Sequence, residues 1–171
     1  MKNEKAKLLL LPVCVLLGIV LLFAFVSFSH NYLSDYFVQN SKELIGQKID
    51  LKKFSEHIGD SRLLGFSKAH GDLKAQIIFW SMTCSPCLEK LSQTKNISDQ
   101  DLVLVVNVDE ASQSHEASQV LAQLAPQFNF YQDKEGFLLK TFKIDYLPAY
   151  VTLDSQGTVL DIQAGPSVFG K

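Results

Sequence analysis

Two apolar runs, Gln76-Ile-Ile-Phe-Trp80 and Leu102-Val-Leu-Val-Val-Asn-Val108, constrain the fold of this chain more than any other feature. Both are rich in β-branched and aromatic residues and lack a clean polar alternation, the pattern of strands buried on two faces of a parallel sheet. Parallel neighbours need a crossover between them. The stretch from Ser85 to Lys95 has Pro86 near its start and Leu88 and Leu91 three apart, so a helix fits the gap and the three segments form a βαβ unit.

Further along, Ser112 to Ala125 places Ala117, Val120, Leu121 and Leu124 at i, i+3, i+4 and i+7, an amphipathic stripe that Pro126 ends. A short strand near Phe128–Tyr131 and a small helix around Phe137–Phe142 come next. Tyr150-Val-Thr-Leu153 and Thr158-Val-Leu-Asp-Ile162, joined by Asp154-Ser-Gln-Gly157, read as an antiparallel hairpin. Upstream, the apolar groups Leu44-Ile45, Ile49-Leu51 and Leu63-Leu64-Gly65-Phe66 lie between Gly46, Gly59-Asp60 and Gly71-Asp72, which predicts a short strand pair or hairpin on the domain edge. The expected class is α/β, with a central mixed sheet flanked by helices.

Residues 8–28 carry no charge across 21 positions. A helix of that length reaches roughly 30 Å, enough to span a bilayer. Lys2, Lys5 and Lys7 precede the run and no Lys or Arg occurs after it until Lys42, so the positive-inside bias puts the N-terminus in the cytoplasm and the rest outside. The expected organisation is a cytoplasmic N-terminus at 1–7, a transmembrane signal anchor at 8–28, a linker at 29–42 and one domain at 43–171. The implied localisation is single-pass in the cytoplasmic membrane, with the domain on the periplasmic or extracytoplasmic side. The alternative is a signal peptide cut before His30, although signal cores usually run only about 7–15 residues. A net charge of −2 gives no reason to expect nucleic acid as a partner.

The chemistry sits in Trp80-Ser-Met-Thr-Cys84-Ser-Pro-Cys87, where a buried strand ends and a helix begins. A thiol at a helix N-terminus meets unpaired backbone N–H groups and the positive end of the helix dipole, both of which favour thiolate. Cys84 is therefore the expected nucleophile. Two residues on a first helical turn bring Cys87 close enough to bridge, so Cys87 resolves a mixed disulfide and is the less exposed thiol. Three other readings stay open. A structural bridge across so short a loop adds little chain-entropy stabilisation. A structural zinc site needs four ligands, and outside the apolar run there is no third Cys. Copper could use the two sulfurs with His57, His70 or His115, yet no spacing ties any of these to the pair. No metal site is expected, and the redox-active pair needs no cofactor. Trp80 is expected to shield the dithiol by packing.

These residues resemble the thioredoxin superfamily, and within it the TlpA/ResA-type membrane-anchored thiol–disulfide oxidoreductases, with cytochrome c maturation thioredoxins as relatives. The resemblance covers roughly 76–165 and rests on Phe79-Trp80 before the first Cys, the Cys-x-Pro-Cys order, Val106-Asn-Val-Asp109, and Leu147-Pro148 before a strand closing with Asp154-Ser-Gln-Gly157. It implies a thioredoxin-like fold, a cis peptide bond before Pro148 against the dithiol, and a substrate edge formed by Trp80, Leu147 and Pro148, where Leu147 offers its backbone to an incoming polypeptide. The implied function is reduction of disulfides in exported cysteine-containing proteins, recharged by a membrane thiol-reducing electron carrier. The alternatives are a disulfide-forming oxidase and a copper-delivery or assembly protein on the same fold. Ser85-Pro86 resembles the Gly-Pro of reducing thioredoxins more than the Pro-His of strong oxidants. The sequence also departs from its relatives. Ile78 stands where thioredoxins bury a carboxylate, Ser85 where ResA-type proteins often carry Glu, and Ala149-Tyr150 where cytochrome c maturation relatives often show a Glu, which weakens transfer of an apocytochrome substrate. The chain stops soon after the hairpin, so one sheet face is expected to be thinly covered or to dock on a partner.

Overall fold

The structure of this protein is a computed structural model, which describes residues 18–22, 24, 41–66, 73–94 and 102–165. The chain divides into two units, Met1–Tyr36 and Phe37–Lys171. In the first, residues 18–22 and 24 are helical and Ile19, Val20, Leu21 and Leu22 are exposed. The rest of the expected 8–28 membrane helix lies outside the described residues, as does most of the linker. Among the described residues no helix is long and apolar enough to cross a membrane.

The second unit opens on helices and not on strands. Where a strand pair or hairpin is expected, the chain forms two helices, α1 (Leu51–Ile58) and α2 (Arg62–Phe66). The reason is local. The Asp50 carboxylate caps α1 by accepting the amides of Lys52 and Lys53 at 3.0 and 3.2 Å. Gly59 closes the helix in the left-handed conformation at φ 73°, its N–H bonded to Ser55 O. Between these signals Leu51, Phe54 and Ile58 fall on one helical face, a period that the glycine punctuation obscures. The strand character of this region survives in residues 46–49, which lie along the final hairpin. Gly46 N–H donates to Val159 O, Val159 N–H to Gln47 O and Ile49 N–H to Gly157 O, around a single bridge between Lys48 and Thr158.

The βαβ unit forms as expected, with β1 (Lys74–Trp80), α3 (Ser85–Gln93) and β2 (Leu102–Asn107). β1 and β2 are parallel, with Trp80 opposite Asn107. A 3-10 turn at Ala111–Gln113 leads into α4 (Ser114–Leu124). Of its predicted stripe Ala117 and Leu121 are buried, while Val120 and Leu124 are half-buried. β3 (Phe130–Gln132) starts two residues later than expected and runs parallel to β2. α5 (Phe137–Thr141) precedes the antiparallel pair β4 (Ala149–Asp154) and β5 (Val159–Ala164). The strand order is β3-β2-β1-β4-β5, a mixed sheet with its parallel half on one side of β1 and its antiparallel half on the other.

Hydrophobic cores pack on both faces. One joins α1, α2 and α5 to the sheet, with Phe142 edge-on to Phe54 and Phe79 at ring separations of 6.1 and 5.9 Å. The other joins α3 and α4 to Ile78, Trp80 and Val105. Over β4 and β5 that second face is polar. Thr152, Asp161 and Gln163 line an open cleft of about 270 Å³ with Lys90 and Thr94 of α3 and with Tyr150.

Candidate active site

β1 is buried along its last four residues and ends at Trp80, whose carbonyl accepts the Val108 amide at 3.0 Å. Ser81–Thr83 then turn the chain, and Cys84 is the N-cap of α3. Its backbone is extended, with φ −94° and ψ 92°, and its sulfur accepts the Cys87 amide at 3.2 Å. Sulfur thus occupies the place usually taken by a capping oxygen. Pro86 in the first turn has no amide to satisfy.

Cys84 and Cys87 are joined by a disulfide, with an S–S distance of 1.97 Å and Cα atoms 5.2 Å apart. Their surroundings differ. Cys84 is half-buried, whereas Cys87 is 1% exposed and packs with Trp80 and Leu91. The pair therefore has one partly exposed cysteine and one sheltered cysteine, the division expected of an attacking and a resolving thiol.

Of the other expected site residues, Trp80 and Leu147 pack in the cluster that holds Cys87. Trp80 is fully buried beneath the pair, and Met82, Cys84 and Leu147 pack against its cluster. The Leu147-Pro148 peptide bond is cis. Pro148 is buried and its carbonyl accepts the Gly165 amide at 2.9 Å, which ties this loop to the end of β5. Tyr146 is 42% exposed beside the loop, while Phe142 is fully buried among the aromatic rings and so belongs to the core. Ile78 is buried and apolar. Ser85 and Glu89 are both exposed, and Glu89 bonds within its own helix, to Ser92 and Gln93. Burial pushes the Tyr150 phenol far above its usual range, so this neighbour stays neutral.

From sequence, Asp109 is a motif residue with no task. In the structure its carboxylate gathers the turn before Cys84. One oxygen accepts the Ser81 hydroxyl; the other accepts the Met82 amide and the Asn107 side-chain amide, both at 2.8 Å. Asn107 is itself fully buried, and its oxygen accepts the Asp109 amide at 3.2 Å. The signal that could have found this residue is the register: Trp80 and Asn107 end two adjacent parallel strands, so the segments leaving them must lie side by side. Among the described residues no group of three or more His, Cys, Asp or Glu could hold a metal ion.

No protein-family model matches the chain, and neither does any curated protein. Among solved structures it is similar to a thioredoxin-like protein determined in its oxidised form in solution, at 24% identity and a TM-score of 0.50, over 58% of this chain and 72% of that one. The fold is thioredoxin-like. It is also similar to the N-terminal domain of PilB from Neisseria gonorrhoeae, at 20% identity and TM-score 0.48 over 59% and 72% of the two chains. A secreted disulfide oxidoreductase of Mycobacterium tuberculosis aligns at 17% identity and TM-score 0.47, over 57% of this chain and 73% of that one.

Proposed function

We propose that this protein is a thiol–disulfide oxidoreductase that reduces disulfides of cysteine-containing proteins through Cys84 and Cys87. The observation that carries the reading is the asymmetry of the pair: a half-buried cysteine whose sulfur caps a helix, bridged to a fully buried one. In the reduced enzyme the Cys84 thiolate attacks a substrate sulfur, forming a mixed disulfide and releasing one substrate thiolate. Cys87 then loses its proton and attacks Cys84 Sγ, releasing the second substrate thiolate. Two electrons pass to the substrate, and the enzyme is left with the Cys84–Cys87 disulfide. Leu147, half-buried next to the buried Trp80 and Pro148, offers the edge that receives the substrate, which adds as a strand along its backbone.

The finer reading is a membrane-anchored protein of the TlpA/ResA kind facing the extracytoplasmic side. The uncharged run at 8–28 and the lysines before it support the anchor and its direction. Its clients are then exported proteins, and a membrane carrier that passes reducing equivalents outward recharges it. Ser85-Pro86 between the cysteines supports the reducing direction.

The test is substrate trapping. In Cys87→Ala the mixed disulfide has no resolving thiol, so Cys84 is expected to be recovered covalently joined to client proteins, and Cys84→Ser is expected to abolish insulin reduction. Recovery of no mixed disulfides, with wild-type protein inactive on insulin, would overturn the reading. A reduction potential near about −120 mV, the range of strong oxidants, would make the protein an oxidase instead.

A further inference from the structure

Cys84 reaches its capping position through Ser81–Thr83, a turn that lies beyond the last ladder bond of β1. Its hydrogen bonds converge on one carboxylate. An ionised Asp109 can only accept, so the single Ser81 hydroxyl proton points to it. That fixes the next bond. With its proton committed, Ser81 Oγ must accept from Thr83, whose hydroxyl lies at 2.9 Å and whose amide donates at 3.1 Å. Ser81 is then saturated, with one donation and two acceptances. The Asp109 backbone is held in turn, since the Gln132 side-chain amide donates to its carbonyl at 2.6 Å. A continuous polar chain thus runs from β3, through the end of β2, to the residue before the nucleophile.

We propose that Asp109 is the positioning residue of the dithiol: through Ser81 and Met82 it fixes the turn that presents the Cys84 sulfur to the Cys87 amide, and so governs how readily that thiol ionises. The proposal rests on reading Cys84 and Cys87 as the reacting pair. It extends that reading by giving the chain a carboxylate with a task at the site, although Ile78 and Ser85 supply none. The task is geometric, because the carboxylate bonds to the turn and to Asn107 and not to a sulfur.

The geometry and the charge of Asp109 predict opposite effects, which makes the proposal testable. A nearby negative charge disfavours thiolate, so if only the field mattered, Asp109→Asn would make Cys84 ionise more easily. If positioning governs, the same change has the reverse effect. The substituted amide has a single acceptor oxygen, and the side that meets Met82 and Asn107 requires it. Its NH2 group then faces the Ser81 hydroxyl, which can accept it only by turning its own proton to Thr83, so the charge-assisted bond to Ser81 is replaced by a weaker neutral one and the turn loosens.

The experiment uses the full chain carrying Cys14→Ser and Cys87→Ala, so that Cys84 is its one thiol, and follows alkylation by iodoacetamide against pH. Asp109→Asn and Ser81→Ala are each expected to raise the midpoint of the profile by about half a unit to one unit, the size of a weakened helix-terminus interaction. Far-UV circular dichroism confirms that each variant is folded. If Asp109→Asn fails to fold, Ser81→Ala decides, since it leaves the carboxylate in place and removes the hydroxyl that links it to Thr83. A downward shift in Asp109→Asn, or an unmoved midpoint in Ser81→Ala, would overturn the proposal. Failure of the underlying reading is separate: it shows as wild-type protein inactive on insulin, whatever the alkylation profiles do.

Discussion

Gly157 closes the β4–β5 hairpin at φ 78°, and a Cβ placed on it would lie 2.7 Å from Ile49 O and 2.9 Å from Leu51 Cγ. Backbone conformation and close approach both require glycine here. Gly157→Ala is expected to cost about 1–3 kcal/mol, read as a lower urea midpoint at unchanged slope. Phe142 poses a different question, because its position near the Pro148 loop suits either a substrate groove or the core. Its full burial against Phe54 and Phe79 assigns it to packing, so Phe142→Ala is expected to lose about 3–5 kcal/mol of stability while alkylation of Cys84 in the folded fraction is unchanged. A loss of Cys84 reactivity in folded protein would count against the packing assignment. At this scale the sequence is most legible where chemistry is local. Cys84, Cys87 and the strand–helix context occupy a few consecutive positions. Asp109 is hidden in the sequence because its partners Ser81 and Met82 lie 28 and 27 positions away, and only the parallel register brings them together.

Elements repeat this contrast between local and distant determinants. β1, α3, β2 and the closing hairpin are readable because each carries its own period and its own punctuation. α1 and α2 are not, since their short apolar groups between glycines suit a hairpin as well as two capped helices. The deciding feature, the Asp50 carboxylate on two amides, is a geometric fact that composition does not reveal. The start of α5 shows how far such a cap can reach. The Asp133 side chain is fully buried and accepts the Leu138 and Leu139 amides at 2.9 and 3.0 Å, while His57 of α1 lies 3.1 Å from the same carboxylate. One residue therefore anchors two elements. Asp133→Ala is expected to destabilise by about 2–3 kcal/mol, because it strands buried amides as well as the histidine. His57→Ala should cost clearly less, since the amides still satisfy the carboxylate; equal losses in chemical denaturation would count against this division.

Across the whole molecule, α2 is fastened to β3 by a cluster that titrates. Burial pushes the Asp60 carboxyl up, but hydrogen bonds from Arg62 and Tyr131, with the Arg62 charge, prevail and hold it below its ordinary value. A depressed carboxyl adds stability that is present above the unfolded value, about 4, and is lost as pH falls through the folded one. For Tyr131 burial and the bond to Asp60 raise the phenol, and burial raises Tyr150 as well. Stability from a raised phenol is complete below about pH 10 and declines as pH rises further, because the unfolded chain ionises first. Urea midpoints are therefore expected to hold a plateau between these limits and fall on both sides, with Tyr131→Phe reducing the acid-side loss. The strand order comes from the structure, but the mixed character of the sheet is legible in the sequence, since a parallel half is followed by an antiparallel hairpin. The tie between residues 46–49 and the final hairpin is not, for it joins segments more than a hundred positions apart. That tie also orders events in time. A chain is made from its N-terminus onward, so residues 46–49 emerge long before Val159 and Gly157, and Cys84 and Cys87 are synthesised while those partners do not yet exist. The seam between residues 46–49 and the final hairpin cannot form until that hairpin has been made, and until then the two cysteines are carried by an unfinished sheet.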